Sequence, residues 1–98
     1  MRRGFVYIMT NRPYGTLYTG VTGSLPERVH QHKTGRGSEF VRRYGLTMLV
    51  WFESHETLTA AIQRETSLKR WKRDWKIDLI SAANLTWRDL AETELWGL

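Results

Sequence analysis

The sequence contains no cysteine. That excludes disulfides and thiolate metal centres and makes a reducing compartment, the cytoplasm, the natural home. No apolar run approaches the roughly 20 residues a membrane-spanning helix needs, so no membrane partner is expected. The basic start at Met1 is followed only by the short stretch Phe5–Met9, which alternates as a strand does and is too brief for a secretion signal. Internal repeats, low-complexity tracts and linkers are missing too. Ninety-eight residues leave room for one core. The expectation is one domain over residues 1–98, with its core at about 4–83 and a short C-terminal helix at about 86–95. Acid is in short supply: ten Asp and Glu stand against fifteen Lys and Arg, for a net charge of +5. Such a surface concentrates polyanions and gains from releasing their counterions; a merely solvated basic face is the plainer alternative.

What is present is globular: 41% of residues are hydrophobic and 26% charged, which excludes disorder. Phe5–Thr10 and Thr16–Val21 are rich in β-branched and aromatic residues, and Asn11-Arg12-Pro13-Tyr14-Gly15 between them reads as a turn. With Gly15 facing Thr10, Tyr7 lies directly opposite Tyr18, on one face of a hairpin. A register shift of two residues keeps them on that face, whereas a shift of one separates them. Ser24 and Glu27 fit a capping box at the start of a helix, which Thr34-Gly35-Arg36-Gly37-Ser38 ends with two glycines. Glu39–Tyr44 forms a short helical turn closed by Gly45. Met48–Phe52 is a continuous apolar run, as a strand covered on both faces would be. The longest helix follows from about Leu58 to Lys72, then another from about Trp75 to Ala83 and a last short one from about Trp87 to Leu95. The fold class is therefore α+β, a three-stranded mixed or antiparallel sheet flanked by helices.

Three features carry the chemistry. On the long helix the inward stripe is Leu58, Ala61, Ile62 and Leu68, and Glu65 falls inside it. A carboxylate there needs a cation, a metal or hydrogen bonds, unless it sits at the stripe's edge and snorkels or pairs with an arginine. Arg28 and His32 share a helix edge, one suited to phosphate oxygens and the other able to take a proton near neutrality; an exposed pair with local contacts is the alternative. His30 faces elsewhere and reads as surface. Tyr7 and Tyr18 could simply be core, but Gly20 on the same face marks the close approach of a backbone or ligand. Lys69, Arg70, Lys72, Arg73 and Lys76, interleaved with Trp71 and Trp75, form a candidate nucleic-acid surface, unless a tryptophan fills the core and the charges solvate the helix. Arg36, Arg42 and Arg43 form a second patch.

In order and spacing these residues resemble the GIY-YIG nuclease superfamily, and within it the small stand-alone YhbQ-like group. The first motif stands here as Phe5-Val6-Tyr7 and the second as Tyr18-Thr19-Gly20. Gly20-Val21-Thr22 with Arg28-x-x-x-His32, then Arg64-Glu65 ahead of Leu68-Lys69-Arg70-Trp71, look like the next family segments. The likeness runs from about Gly4 to Ile80, and Trp87-Arg88-Asp89-Leu90 also matches the stand-alone group. Two departures fall on strand scaffolding: Gly4 lies one residue ahead of the motif's glycine position, where Phe5 stands, and Thr19 replaces an aliphatic. Asn84 could match a late asparagine of some members but stays outside the catalytic set.

The resemblance implies hydrolysis of phosphodiesters in DNA, ahead of RNA, in repair, recombination or other nucleic-acid processing. It implies one divalent metal, Mg²⁺ or Mn²⁺, held by Glu65 as the sole protein carboxylate. Arg28 would bind a phosphate oxygen, Tyr18 would position water or phosphate, and Tyr7 would help deprotonate the attacking water, passing the proton to His32. The alternative is a nucleic-acid-binding module that keeps the fold with little intrinsic catalysis. A third reading is an interaction domain using the Trp87–Trp96 end as a dimer surface. The expected state is a monomer or weak homodimer.

Overall fold

All seven residues of the first strand, β1 (Gly4–Thr10), are buried because both of its faces are covered. A computed structural model describes residues 3–95 and Leu98. In it, β1 is followed by β2 (Leu17–Thr22), α1 (Leu25–Lys33), α2 (Glu39–Tyr44), β3 (Met48–His55), α3 (Leu58–Lys69) and α4 (Arg73–Ala83). The sheet order is β2-β1-β3 with both pairings antiparallel. Phe5, Tyr7 and Met9 point into a core shared with Leu25 and Val29 of α1 and Val41 of α2. Val6 and Ile8 point the other way, into a core with Ala61, Leu68, Ile80 and Trp87. The sheet is thus the middle of three layers, α1 and α2 on one side and α3 and α4 on the other. Among the described residues no helix is long and apolar enough to cross a membrane.

The apolar run of β3 carries a bulge. Ile8 pairs with Trp51 but Met9 with Leu49, so Val50 is the extra residue, and Val50 and Trp51 both turn to the α3–α4 core. The Val50 carbonyl accepts a hydrogen bond from Asn84 Nδ2 at 3.1 Å.

Several expectations are corrected. The hairpin pairs Tyr7 with Gly20 and Met9 with Tyr18, two residues out from the direct Tyr7–Tyr18 pairing. The cause lies in the loop, where the Thr16 amide donates to Asn11 Oδ1 at 3.1 Å, so that Leu17 is the first partner of Thr10. The capping box does not form. The Ser24 amide donates to Thr22 Oγ1 at 3.1 Å and has nothing left for Glu27, which is exposed. The longest helix stops at Lys69 rather than Lys72, and α4 begins at Arg73, because Trp71 turns to pack against the α3–α4 core. Ile62 is 45% exposed and not inward. A Cβ at Gly4 would lie 2.6 Å from Ala61 Cβ and 2.9 Å from Leu58 Cα; with α3 pressed this closely on β1, Ala61 occupies the crossing point.

The C-terminal helix expected over Trp87–Leu95 is reduced to a single 3₁₀ turn, Leu90–Glu92. Trp87 takes left-handed backbone at φ 56° with its ring buried, stacked on Tyr14 at 4.6 Å. Asn84 Nδ2 also donates to the Arg88 carbonyl at 2.9 Å, and the Leu49 amide donates to Asp89 at 3.1 Å. These bonds tie the segment to β3 and α4 in place of helical ones. A buried Trp87 presents nothing to a second copy, and Trp96 lies outside the described residues.

Candidate active site

The alternation of β1 and β2 puts Tyr7 and Tyr18 on the face covered by α1, with ring centroids 6.3 Å apart. Tyr7 is 2% exposed and its hydroxyl lies 2.7 Å from His32 Nε2. Gly20 is what makes room for it. A Cβ there would lie 2.5 Å from both Cζ and the hydroxyl oxygen of Tyr7, a separation that real Cβ atoms do not tolerate. The close approach marked by this glycine is the phenol itself.

His32 is expected along a helix edge, yet it is only 2% exposed. Its ring centroid lies 5.6 Å from those of both Tyr7 and Tyr18, and Nδ1 has no hydrogen-bond partner among the described residues. The residue facing Nδ1 is Gly37, where a Cβ would come within 2.2 Å. Gly37 is missed by the sequence reading, which treats both glycines after α1 as terminators. Only Gly35 takes the left-handed backbone, at φ 78°; a second glycine with no turn to make was the available signal.

Burial, followed by the neighbouring Tyr18, pushes the Tyr7 phenol well above its ordinary pKa of 10.0; the Arg28 guanidinium offsets part of this and the Glu65 carboxylate adds to it. Burial, helped by the Arg28 charge, lowers His32 from 6.5 to about 4. Both groups are therefore neutral at pH 7. An orphaned buried N–H is rarer than an unused lone pair, so the proton of His32 belongs on Nε2, donating to the Tyr7 oxygen. The Tyr7 hydrogen then points away from the imidazole. The expected passage of a proton from Tyr7 to His32 runs against both this tautomer and the low basicity of the ring.

Arg28, half-buried, lines a groove of about 160 Å³ with Thr22, Ser24, Glu27 and Gln31. Glu65 comes from the opposite layer: Ala61 and Leu68 on either side of it in α3 are buried, and its side chain is 14% exposed. Its partner is Lys69 at 3.3 Å, not an arginine. Its carboxylate nevertheless acts on Tyr7. Tyr7, Tyr18 and His32 are thus in direct ring contact, and the charges of Arg28 and Glu65, from opposite layers, bear on the Tyr7 phenol. Among the described residues there is no cluster of three or more acidic, His or Cys side chains able to hold an ion. The donor set on offer is one partly shielded carboxylate, which suits a hard cation that keeps most of its own water, as Mg²⁺ does.

A model of the GIY-YIG catalytic domain matches residues 3–78. The chain belongs to the GIY-YIG family. Domains of this family are generally those of divalent-metal-dependent nucleases. The chain is 36% identical to a UPF0213 protein of Clostridium perfringens over 81 residues, covering 83% of this chain and 86% of the relative. It is 38% identical to a UPF0213 protein of Haloquadratum walsbyi over 64 residues, 65% of this chain and 72% of that one. Its fold is similar to the solution NMR structure of a UPF0213 protein from Bacillus halodurans, with a TM-score of 0.56, 25% identity and coverage of 94% and 97% of the two chains.

The GIY-YIG motif departures fall away from the phenols. Gly4 is where α3 crosses β1. Thr19 pairs with Ile8 on the α3 side and is buried, its hydroxyl unpartnered among the described residues, which explains why an aliphatic suits the position. Asn84 serves β3 and the C-terminal segment, not the site. Of the expected nucleic-acid residues, Lys69, Arg70, Lys72 and Arg73 are exposed and Lys76 is half-buried. Arg73 NH2 donates to the Tyr14 and Gly15 carbonyls at 2.7 and 2.8 Å. Trp71 is half-buried against the α3–α4 core, whereas Trp75 is open. In the second patch, Arg42 pairs with Glu39 at 2.6 Å, Arg36 bonds Thr34 and Arg43 lies over Tyr44; all three are exposed.

Proposed function

We propose that this chain is a single GIY-YIG domain acting as a metal-dependent phosphodiester hydrolase on DNA, or RNA, in repair, recombination or nucleic-acid processing. One observation supports the reading most. The buried Tyr7 phenol is held by His32 at 2.7 Å while the charges of Arg28 and Glu65, from opposite layers, both act on it. A core tyrosine has no need of such a setting, and burying polar groups costs free energy unless function or pairing repays it.

Glu65 would hold the divalent ion, Mg²⁺ or Mn²⁺. Bound there, the ion would neutralise charge on the scissile phosphate and the departing 3′ oxygen and bring down the pKa of the nearby phenol. Arg28 would bind a non-bridging phosphate oxygen, its planar fork matching the anion as charge builds. Tyr7, with its hydrogen free of the imidazole, would orient the attacking water, and Tyr18 would position water or phosphate beside it. His32, donating from Nε2, would stabilise Tyr7 as a phenolate once the phenol has released its proton to solvent, leaving that oxygen to take the proton of the attacking water, and would hold the ring in place throughout. Exposed Lys69, Arg70, Lys72, Arg36, Arg42 and Arg43 would supply phosphate contacts.

Glu65→Ala and Arg28→Ala should abolish metal-dependent cleavage in a folded protein; undiminished cleavage by both removes this site. The second reading, a binding module with little turnover, draws on the phenol and imidazole both lying outside the basicity range useful at pH 7. Titrating Mg²⁺ or Mn²⁺ against branched, nicked and single-stranded substrates separates the two, since the module binds and never cuts. Sedimentation at two concentrations tests for the monomer or weak homodimer.

A further inference from the structure

Between the hairpin tip and α4 lies a cleft of about 420 Å³, lined by Thr16, Leu17, Trp71, Arg73 and Lys76. That volume is in the range of small-ligand sites. Its walls are fixed: Arg73 holds the Tyr14 and Gly15 carbonyls and Tyr14 stacks on buried Trp87. Trp71 in its lining is met edge-on by Trp75, with ring centroids 6.2 Å apart, and Trp75 is 52% exposed.

We propose that this cleft seats one unpaired nucleotide of the substrate, its base against Trp75 and its phosphate on Lys76. The inference rests on the reading of the chain as a nucleic-acid enzyme and narrows it to substrates with a single-stranded segment. An exposed indole offers a face on which a free base stacks; bases inside a duplex already cover their faces with each other. Lys76 is half-buried with no acidic partner among the described residues. Burial, then the neighbouring Lys69, lowers its pKa, so an incoming phosphate relieves a cation short of counter-charge. Of the neighbouring cations, Arg64 lies over Trp71, Lys72 over Trp75, and Arg73 holds the hairpin. Lys69 also pairs with Glu65, so one charge links cleft and candidate site. Along β2 the distance from Gly20 to Thr16 is about 13 Å at ~3.3 Å per residue, within reach of a nucleotide flanking the scissile bond.

The test uses the full chain in EDTA with a labelled oligothymidylate, the same oligomer with abasic sites, and a blunt duplex. Trp75→Ala should weaken oligothymidylate binding about tenfold and leave the abasic oligomer and duplex unchanged. Lys76→Gln should lower the salt slope by about one phosphate's worth, ~0.7 for a single strand. Equal weakening on all three ligands, or none, overturns the cleft, as does an unaltered slope for Lys76→Gln. Trp75 is exposed, so its removal spares the fold, which an unchanged thermal midpoint verifies. Trp75-dependent binding without cleavage in Mg²⁺ removes the nuclease reading and keeps the cleft. Cleavage with Trp75-independent binding does the reverse.

Discussion

Gly20 and the phenol of Tyr7 exclude one another's bulk: the glycine's missing Cβ would sit 2.5 Å from the hydroxyl oxygen. Tyr7 is enclosed, so the ring has nowhere to swing. Gly20→Ala should destabilise the protein by about 1–3 kcal/mol, the usual cost of overpacking, and should depress cleavage far more than that loss explains. Denaturant melts alongside single-turnover cleavage measure both, and an alanine tolerated in both assays would contradict the packing described.

Gly37 stands to His32 much as Gly20 does to Tyr7. Gly37→Ala should push the imidazole off the phenol, since Nδ1 lies 2.2 Å from the added carbon. Nitrogen NMR of the wild-type ring should show a protonated Nε2 and a bare Nδ1, and that signature should change in the variant. A wild-type ring protonated on Nδ1 would reverse the donor and acceptor in the Tyr7–His32 bond.

Part of the fold and of the candidate site is legible in the sequence. Strand alternation fixes that Tyr7 and Tyr18 share a face, but their register depended on Asn11 capturing the Thr16 amide, which no periodicity reports. Helical spacing links Arg28 to His32; the burial of His32 follows from Gly37, five positions on, whose role is tertiary. The α3 stripe pointed Glu65 inward correctly, while Ile62 was misplaced because Gly4 pins Ala61 at the crossing. The C-terminal helix failed because Trp87 adopts left-handed backbone, a choice made by packing against local propensity.

Acid should reach the fold through His32. Its folded pKa of about 4 lies below the ordinary 6.5, so between these values the unfolded chain takes up a proton that the folded one refuses. The stability it contributes is complete above pH 6.5 and drains away as pH falls toward 4, on the order of 3 kcal/mol in all. Urea melts across pH 7 to 4 should show the slope, and His32→Gln should flatten it. An identical slope in the variant would assign the acid response to other groups.

Arg73→Ala should loosen the hairpin tip, because two carbonyls lose a charged donor at 2.7 and 2.8 Å. The group is exposed, so a loss of about 1 kcal/mol is expected. Hydrogen exchange at the β1–β2 turn should quicken while the centre of β1 stays protected. Uniform quickening across the sheet would mean the clamp supports the whole fold.

The sheet lies between the phenols, guanidinium and imidazole on one side and the helix that carries Glu65 on the other. Neither half of the sandwich alone can gather the full set, so chemistry at this centre would be among the last properties gained as the chain folds and among the first surrendered when either layer lifts. Turnover would then serve as a gauge of whether both halves are closed, and a partly opened chain would be inert toward the nucleic acid around it.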